Sequence, residues 1–319
     1  MLSESSIITQ LKQAFPSHIG DDAAVLPASS HNMVITKDIL VEHKHFNTNY
    51  VDAASLAHKA LHVNLSDLAA MGATPRYIML GIAIPTRLSD YAKTFLTHFT
   101  TACKTANVVL IGGDTTASAN DLFISVTALG EAQTSPLKYR NTAKPKQTIC
   151  ITGPLGLAHL GLCAFENNQP GFEAEKQALL KPRAKIQEGQ WLAKQSAVTS
   201  LMDVSDGLYI DLKRLCEASR LGAELYLETL PQSPEFNAAC LALKLDPATV
   251  LLTGGEDYGL LFTVEATEAN HLADTFQKTF HYDFMQIGCT TSNHDITLLH
   301  HQKPTTLSLT PFNHFGEPL

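Results

Sequence analysis

Charged residues are scarce in this chain, and several of the acidic ones follow a pattern. Asp21-Asp22 follow Gly20, Asp38 sits in Thr36-Lys37-Asp38, Asp67 in Asn64-Leu65-Ser66-Asp67, and Asp114 in Gly112-Gly113-Asp114. Further on, Asp203, Ser205 and Asp206 form D-x-S-D-G, and Glu256-Asp257 follow Gly254-Gly255. Charged residues make up only 17% of the sequence and the mean hydropathy is zero, yet each of these groups adjoins an apolar segment. A single aspartate beside glycine reads as a turn former or a cap. Repetition of the same arrangement favours a fold that delivers several strand ends and turns to common places. Asp67 is the exception, since it falls inside a helical pattern.

The apolar periodicity supplies such a fold. Residues 2–15 read as a short amphipathic helix, 23–26 and 32–36 as strands, and a long helix begins near Asp52 and stops at Gly72. Residues 77–84 form a strand ended by Pro85, 89–106 a helix, 108–111 a strand running into a Gly-Gly-Asp turn, and 122–129 a strand. The stretch 135–147, with two prolines and four Lys or Arg, marks a boundary. A second set begins with a strand at 148–152, continues with a helix after Asp206-Gly207, and includes apolar runs at 250–253 and 260–264. The fold class is therefore α/β (α+β), with an N-terminal domain over 1–138 and a C-terminal domain over 139–319. That division agrees with a length of 319 residues, about twice the usual ~150 per domain. "LIGGDTT…LFISVTALG" and "LLTGGEDYGLLFTV" both read as strand, Gly-Gly-acid turn, strand, which fits two domains of related build.

Carboxylates gathered at one place repel and call for a cation. Hard oxygen ligands with few His or Cys nearby suit Mg²⁺, which binds through one or two carboxylates together with substrate phosphates. Glycines beside them allow backbone N–H groups to approach a phosphate. The pattern reads as a nucleotide site with several metal ions. No G-x-x-x-x-G-K-[ST], H-R-D or D-F-G set, G-x-S-x-G or H-E-x-x-H occurs, so phosphoryl chemistry here relies on metal ions rather than a P-loop lysine. The formal charge of −8 argues against nucleic acid and anionic membrane as partners. The N-terminus lacks a signal-peptide pattern, no membrane-length apolar stretch occurs, and the six cysteines include no CxxC pair. A cytoplasmic protein with reduced thiols is expected.

Taken together and in order, "IGDDAAVL" (19–26), "TKDILVEHKHF" (36–46), "NLSDLAAMGATP" (64–75), "LIGGDTT" (110–116), "DVSDGL" (203–208) and "GGEDYGLLF" (254–262) resemble the thiamine-monophosphate kinase family. The resemblance implies an AIR synthetase-like two-domain fold, with an N-terminal α/β domain that forms a homodimer by joining sheets. It also implies transfer of the γ-phosphoryl group of ATP to thiamine monophosphate. On this resemblance Asp22, Thr36, Asp38, Asp67, Asp114, Asp203 and Asp206 hold Mg²⁺. Gly113, Asp114, Arg140 and Ser205 contact ATP, and His45, Glu256 and Phe312 face thiamine monophosphate. No catalytic base is expected, because the second ionisation of a phosphate monoester has a pKa of about 6 and its oxygen is already a nucleophile near neutrality.

One segment departs from the family pattern T-T-D-x-L-V-E-G-x-H-F. Lys37 replaces a hydroxyl residue, so either the backbone carbonyl is the true ligand there or one ion is lost and the ammonium partly substitutes for it. His43 stands where the family has Gly, which calls for an ordinary backbone conformation. Two other members of the superfamily are weaker matches. Selenide chemistry favours an N-terminal Cys, whereas the first here is Cys103, and a maturation scaffold favours a C-terminal P-R-[IV]-C tail that this chain lacks.

Overall fold

A computed structural model describes residues 24–27, 32–132 and 137–309. The expected helix at 2–15 and the residues Asp22 and Phe312 lie outside them. The chain divides into two compact units, one comprising residues 22–135 with 180–190, the other the remainder.

The first unit is built on strands β1 (Ala24–Pro27) and β2 (Asn32–Val41), helix α1 (Ala53–Ala70), strand β3 (Thr74–Pro85), helix α2 (Ser89–Thr105), and strands β4 (Val109–Ser118) and β5 (Phe123–Ala132). The sheet runs β1-β2-β5-β3-β4. All neighbours are antiparallel except β3 and β4, which are parallel and need a crossover that α2 supplies. Asp52 caps α1, its side chain accepting from the Ala54 and Ser55 amides at 2.9 Å, as a helix start requires. One sheet face, with Val34, Leu40, Ile78, Leu80, Ile124 and Val126, is buried. Leu56, Leu61, Leu65 and Leu68 of α1 are fully buried as well, each worth roughly 1.5–3 kcal/mol. The opposite face leaves Ile39, Tyr77, Met79 and Phe123 exposed, and Val109, Leu110 and Ile111 of edge strand β4 are exposed too.

Residues 180–190 return to this unit and lie along α1. His58 Nε2 donates to the Pro182 carbonyl at 2.8 Å, Ala184 N donates to His62 Nδ1 at 3.3 Å, and Gln190 Nε2 donates to Thr74 Oγ1 at 3.0 Å. Gly189 sits so close that a Cβ there would lie 2.0 Å from the Ala69 carbonyl oxygen. The two histidine rings stack at 4.0 Å. Burial, helped by His58 and Arg183, lowers His62 to about 4, so it stays a neutral acceptor.

The chain continues with β6 (Gln147–Thr152), α3 (Leu157–Glu166), α4 (Glu173–Leu180), α5 (Ile186–Lys194), β7 (Val198–Val204), α6 (Leu208–Ser219), β8 (Gly222–Tyr226), α7 (Pro234–Ala242) and α8 (Pro247–Thr253), of which residues 180–190 belong to the first unit and the rest to the second. It ends with β9 (Gly259–Glu265), α9 (Ala269–Phe280), β10 (Phe284–Thr291), β11 (Ile296–His300) and β12 (Lys303–Thr305). Its seven-stranded mixed sheet is ordered β12-β11-β8-β10-β6-β9-β7. Ile149, Ile151, Met202, Val204, Leu212, Leu215 and Leu261 form its core.

Three expectations fail. Residues 250–253 are not a strand but the end of α8, started by Pro247 and capped by Asp246, whose Oδ2 accepts from Thr249 N at 2.8 Å. Gly112-Gly113-Asp114 is not a turn but the interior of β4, which takes up a register shift opposite Ile78 and Met79. The two Gly-Gly-acid segments therefore have different backbones and give no sign of duplication. Asp38 likewise lies within β2 rather than beyond a strand ending at Thr36.

Candidate active site

In the first unit the residues singled out by sequence fall on both faces of the sheet. Thr36 Oγ1 donates to Asp67 Oδ2 in a short contact between β2 and α1. Asp38, two residues further along the strand, shares the face of Thr36. Its backbone N–H donates to Asn64 Oδ1 at 3.0 Å, while Asn64 Nδ2 donates to the Ala60 carbonyl at 3.0 Å. Thr36, Asp38 and Asp67 thus form a set of hard oxygen donors that fits a divalent cation of the Mg²⁺ kind, with the fully buried Asn64 fixing the strand against the helix.

Lys37 points the other way, its Nζ reaching Thr127 Oγ1 on β5 at 3.3 Å. Its ammonium therefore stands across the sheet from the Thr36–Asp67 contact and does not replace an ion there. His43 has φ +65°, contrary to the ordinary conformation expected of it. Its N–H donates to the Phe46 carbonyl at 2.7 Å, so a histidine occupies a turn geometry that glycine usually serves. His45 Nδ1 accepts from Val41 N at 3.0 Å, which ties the ring to the end of β2.

Beside these histidines, Glu42, His43 and Asp121 converge, but Glu42 is already engaged. It accepts from Arg87 Nη2 at 2.6 Å, Thr48 Oγ1 at 2.6 Å and Leu122 N at 2.9 Å. Burial alone would raise this carboxyl, yet those bonds hold it below the ordinary value. It is a structural ion pair.

Asp114 is exposed on β4, three strands from β2 in the sheet order, hence about 14 Å away along the sheet at the usual strand spacing. Gly113 beside it tolerates no side chain, because a Cβ would lie 1.8 Å from the Leu80 carbonyl oxygen. Within one chain Asp114 does not join Thr36, Asp38 and Asp67.

In the second unit the two acidic loops interlock. Glu256 N donates to the Ser205 carbonyl at 2.7 Å and Tyr258 N to the Val204 carbonyl at 2.9 Å. A Cβ on Gly255 would meet the Ser205 carbonyl oxygen at 2.7 Å, and Gly207, at φ +118°, abuts Thr253. Glu256 itself takes φ +67°. Asp203, at the end of β7, is buried, and the Arg140 carbonyl accepts from Ser219 Oγ at 2.7 Å at the end of α6.

Two residues that the sequence reading passed over, Asp211 and Arg214, hold these loops together with Asp257 of the Gly-Gly-Glu-Asp motif, to which the sequence gives no separate role. Asp211 Oδ2 accepts from both Ser205 N and Asp206 N at 3.0 Å. Arg214 Nη1 donates to Asp206 Oδ2 at 2.5 Å and to Asp211 Oδ1 at 2.7 Å. Asp257 Oδ2 accepts from Gly156 N at 2.6 Å at the start of α3. Burial raises Asp257 to about 7 against the lowering pull of the Gly156 and Ala158 amides. The available signal was spacing: Asp211 and Arg214 are three apart on a helix that opens directly after Ser205-Asp206-Gly207, and so share a face.

Residues 20–132 match the model of the AIR synthase related protein N-terminal domain, and residues 144–301 match that of the C-terminal domain. The chain is 33% identical over 308 residues to thiamine-monophosphate kinase of Buchnera aphidicola subsp. Schizaphis graminum, covering 93% of this chain and 92% of that protein. It is 33% identical over 313 residues to the enzyme of that name from Escherichia coli K12, covering 94% and 92%. A solved structure described as AaThiL complexed with AMPPCP and TMP superposes with a TM-score of 0.85 at 28% identity, covering 98% of this chain and 97% of that one.

Proposed function

The chain belongs to the AIR synthase related family, among its thiamine-monophosphate kinases, and from that membership we infer that it phosphorylates thiamine monophosphate with ATP. The products are thiamine diphosphate and ADP, in a step of thiamine diphosphate biosynthesis. The observation that carries this reading is likeness along nearly the whole chain, in sequence and in fold, to kinases of one name and to a structure bearing an ATP analogue and TMP.

Mg²⁺ is our assignment for the metal, on the oxygen-donor chemistry of Thr36, Asp38 and Asp67 in the first unit and of Asp203 and Asp206 in the second. Bound there with ATP, it would supply charge neutralisation to the transferring phosphoryl group. The protein's own contribution is positioning. Asn64 fixes the strand carrying Asp38, and Asp211 fixes the amides of Ser205 and Asp206. The interlocked loops present Glu256, whose negative charge suits the cationic thiazolium. Ser205 and Arg140 are assigned to ATP, together with Gly113 and Asp114. His45 and Glu256 are assigned to thiamine monophosphate. The accepting phosphate is already largely ionised near pH 7, so no residue is assigned as a base.

A homodimer is part of the same reading. The exposed apolar face around Ile39, Tyr77, Met79 and Phe123 is of the kind that a second copy covers. Asp114 and Asp38, at opposite sides of one sheet, can be brought together by an isologous interface, in which each pairing occurs twice. A two-fold dimer would let Asp114 complete a site that one chain leaves open. No single described helix is long and apolar enough to cross a membrane, and we place the enzyme in the cytoplasm.

The test is chromatographic product analysis of the protein with Mg-ATP and thiamine monophosphate, with free thiamine as parallel acceptor and EDTA as control. Thiamine diphosphate formed only from the monophosphate, and only with the metal, is expected. Nucleotide binding without phosphorylation of either acceptor would overturn the assignment.

A further inference from the structure

Arg214 is unexplained by the reaction as described, since the loop it adjoins already has an anchor. Asp211 accepts both loop amides through Oδ2, and Arg214 compensates the charge of that buried carboxylate, but neither role requires contact with Asp206. What Arg214 adds is a grip on the ligand atom itself: a single nitrogen, Nη1, bridges Asp206 Oδ2 and Asp211 Oδ1. A guanidinium keeps its charge at every relevant pH, and this side chain is only 32% exposed while that of Asp206 is 21% exposed. The pair is therefore poorly screened compared with a surface ion pair.

We propose that Arg214 is a resident counter-cation that competes with the divalent ion for Asp206 and sets how much metal the enzyme needs. The inference rests on the assignment of Asp206 as a metal ligand. Two effects of Arg214 oppose one another. By orienting Asp206 it helps a metal bind, and by placing a positive charge beside the same carboxylate it repels one. Orientation of the loop is carried by Asp211, so the repulsion decides the sign. A cation on the free oxygen of Asp206 would stand only one carboxylate away from the guanidinium. At that separation like charges in a half-buried site weigh more than a lost side-chain restraint. Arg214 thus keeps Asp206 paired and weakly metal-binding until nucleotide phosphates bring the ion in.

The experiment is Mn²⁺ binding to the purified full chain, followed by electron paramagnetic resonance in the absence of nucleotide, with thermal melting as the check on folding. Arg214→Gln should tighten Mn²⁺ at this position on the order of tenfold, while Arg214→Lys, which keeps the charge, should stay close to the parent. Arg214→Gln combined with Asp206→Asn should abolish the gain. If Arg214→Gln fails to fold, because Asp211 is left buried without its partner, the Arg214→Gln/Asp211→Asn pair leaves no buried charge unpaired, keeps a side-chain oxygen for the two loop amides, and should show a smaller tightening in the same direction, since the guanidinium touches Asp206 directly. Unchanged or weaker binding in the charge-removing variants overturns the proposal. If Asp206→Asn alone leaves Mn²⁺ binding untouched, the metal assignment of Asp206 falls and the proposal with it. If Asp206→Asn weakens binding but Arg214→Gln does not tighten it, only the role of Arg214 is refuted.

Discussion

Asn64→Ala asks whether α1 positions the strand that carries Asp38. The side chain is fully buried and makes two bonds, accepting from Asp38 N and donating to the Ala60 carbonyl, each at 3.0 Å. Alanine removes both. The Ala60 carbonyl lies inside a helix and keeps its backbone partner there, so that loss is worth about 1 kcal/mol net. The Asp38 amide is bonded to Asn64, and leaving it without an acceptor costs a further ~1–3 kcal/mol. The sum is about 2–4 kcal/mol, which lowers the melting transition by roughly 5–15 °C for a unit of this size. The assay pairs differential scanning calorimetry with the Mg²⁺ concentration needed for half-maximal activity, which should rise as Asp38 loosens. A melting point within about 1 °C of the parent would show that the bond does not hold strand to helix. A lower melting point with an unchanged Mg²⁺ requirement would detach Asp38 from the metal.

Asp67→Asn and Asp114→Asn should each abolish turnover with a normal circular dichroism spectrum, and a variant with full activity would remove that residue from the metal set. Gly255→Ala, whose Cβ would meet the Ser205 carbonyl oxygen at 2.7 Å, should part the two acidic loops. We expect a stability loss of about 1–3 kcal/mol and a raised KM for thiamine monophosphate, read by urea titration and steady-state kinetics. Asp257 gives a pH dependence of definite sign. Its folded-state carboxyl is raised from 3.8 to about 7, so its contribution is complete below pH 4 and is lost as pH rises towards 7. Asp257→Asn should therefore gain in stability relative to the parent as pH rises, losing less than the parent between pH 5 and pH 8. A parent protein whose melting point rises over that interval relative to the variant would refute the assignment.

Helices and strands with strong local signals were legible in the sequence. Asp52 at the start of α1, Pro85 at the end of β3 and Gly207 before α6 each fix a backbone choice without help from the rest of the chain. Residues 250–253 went astray because four apolar or β-branched residues before Gly-Gly suit either state, and the decisive Asp246-Pro247 cap lies further back. Gly112-Gly113-Asp114 looked like a turn because glycine there was read as freedom, whereas Gly113 is demanded by the close approach of the Leu80 carbonyl oxygen. The acidic residues were found by their pattern, but not their partners. Asn64 acts across elements, and nothing in a linear reading distinguishes it from a solvated polar residue, whereas Asp211 and Arg214 leave only the weak signal of their three-residue spacing behind the Ser205-Asp206-Gly207 turn. Distance was hidden too: the strand order that sets Asp38 and Asp114 on opposite sides of a sheet is a property of topology.

The return of residues 180–190 to the first unit bears on how this protein is made. A nascent chain that has emerged as far as Ser135 holds all five strands of the first sheet but not the segment that covers His58, His62 and Ala69 along α1. That cover arrives roughly 55 residues later, a delay of several seconds at ordinary rates of synthesis. Throughout it one flank of a largely apolar helix stays open. The N-terminal half is thus exposed to chaperones and to mispairing for longer than its own length would suggest. A gene fragment cut after residue 138 would make that interval permanent.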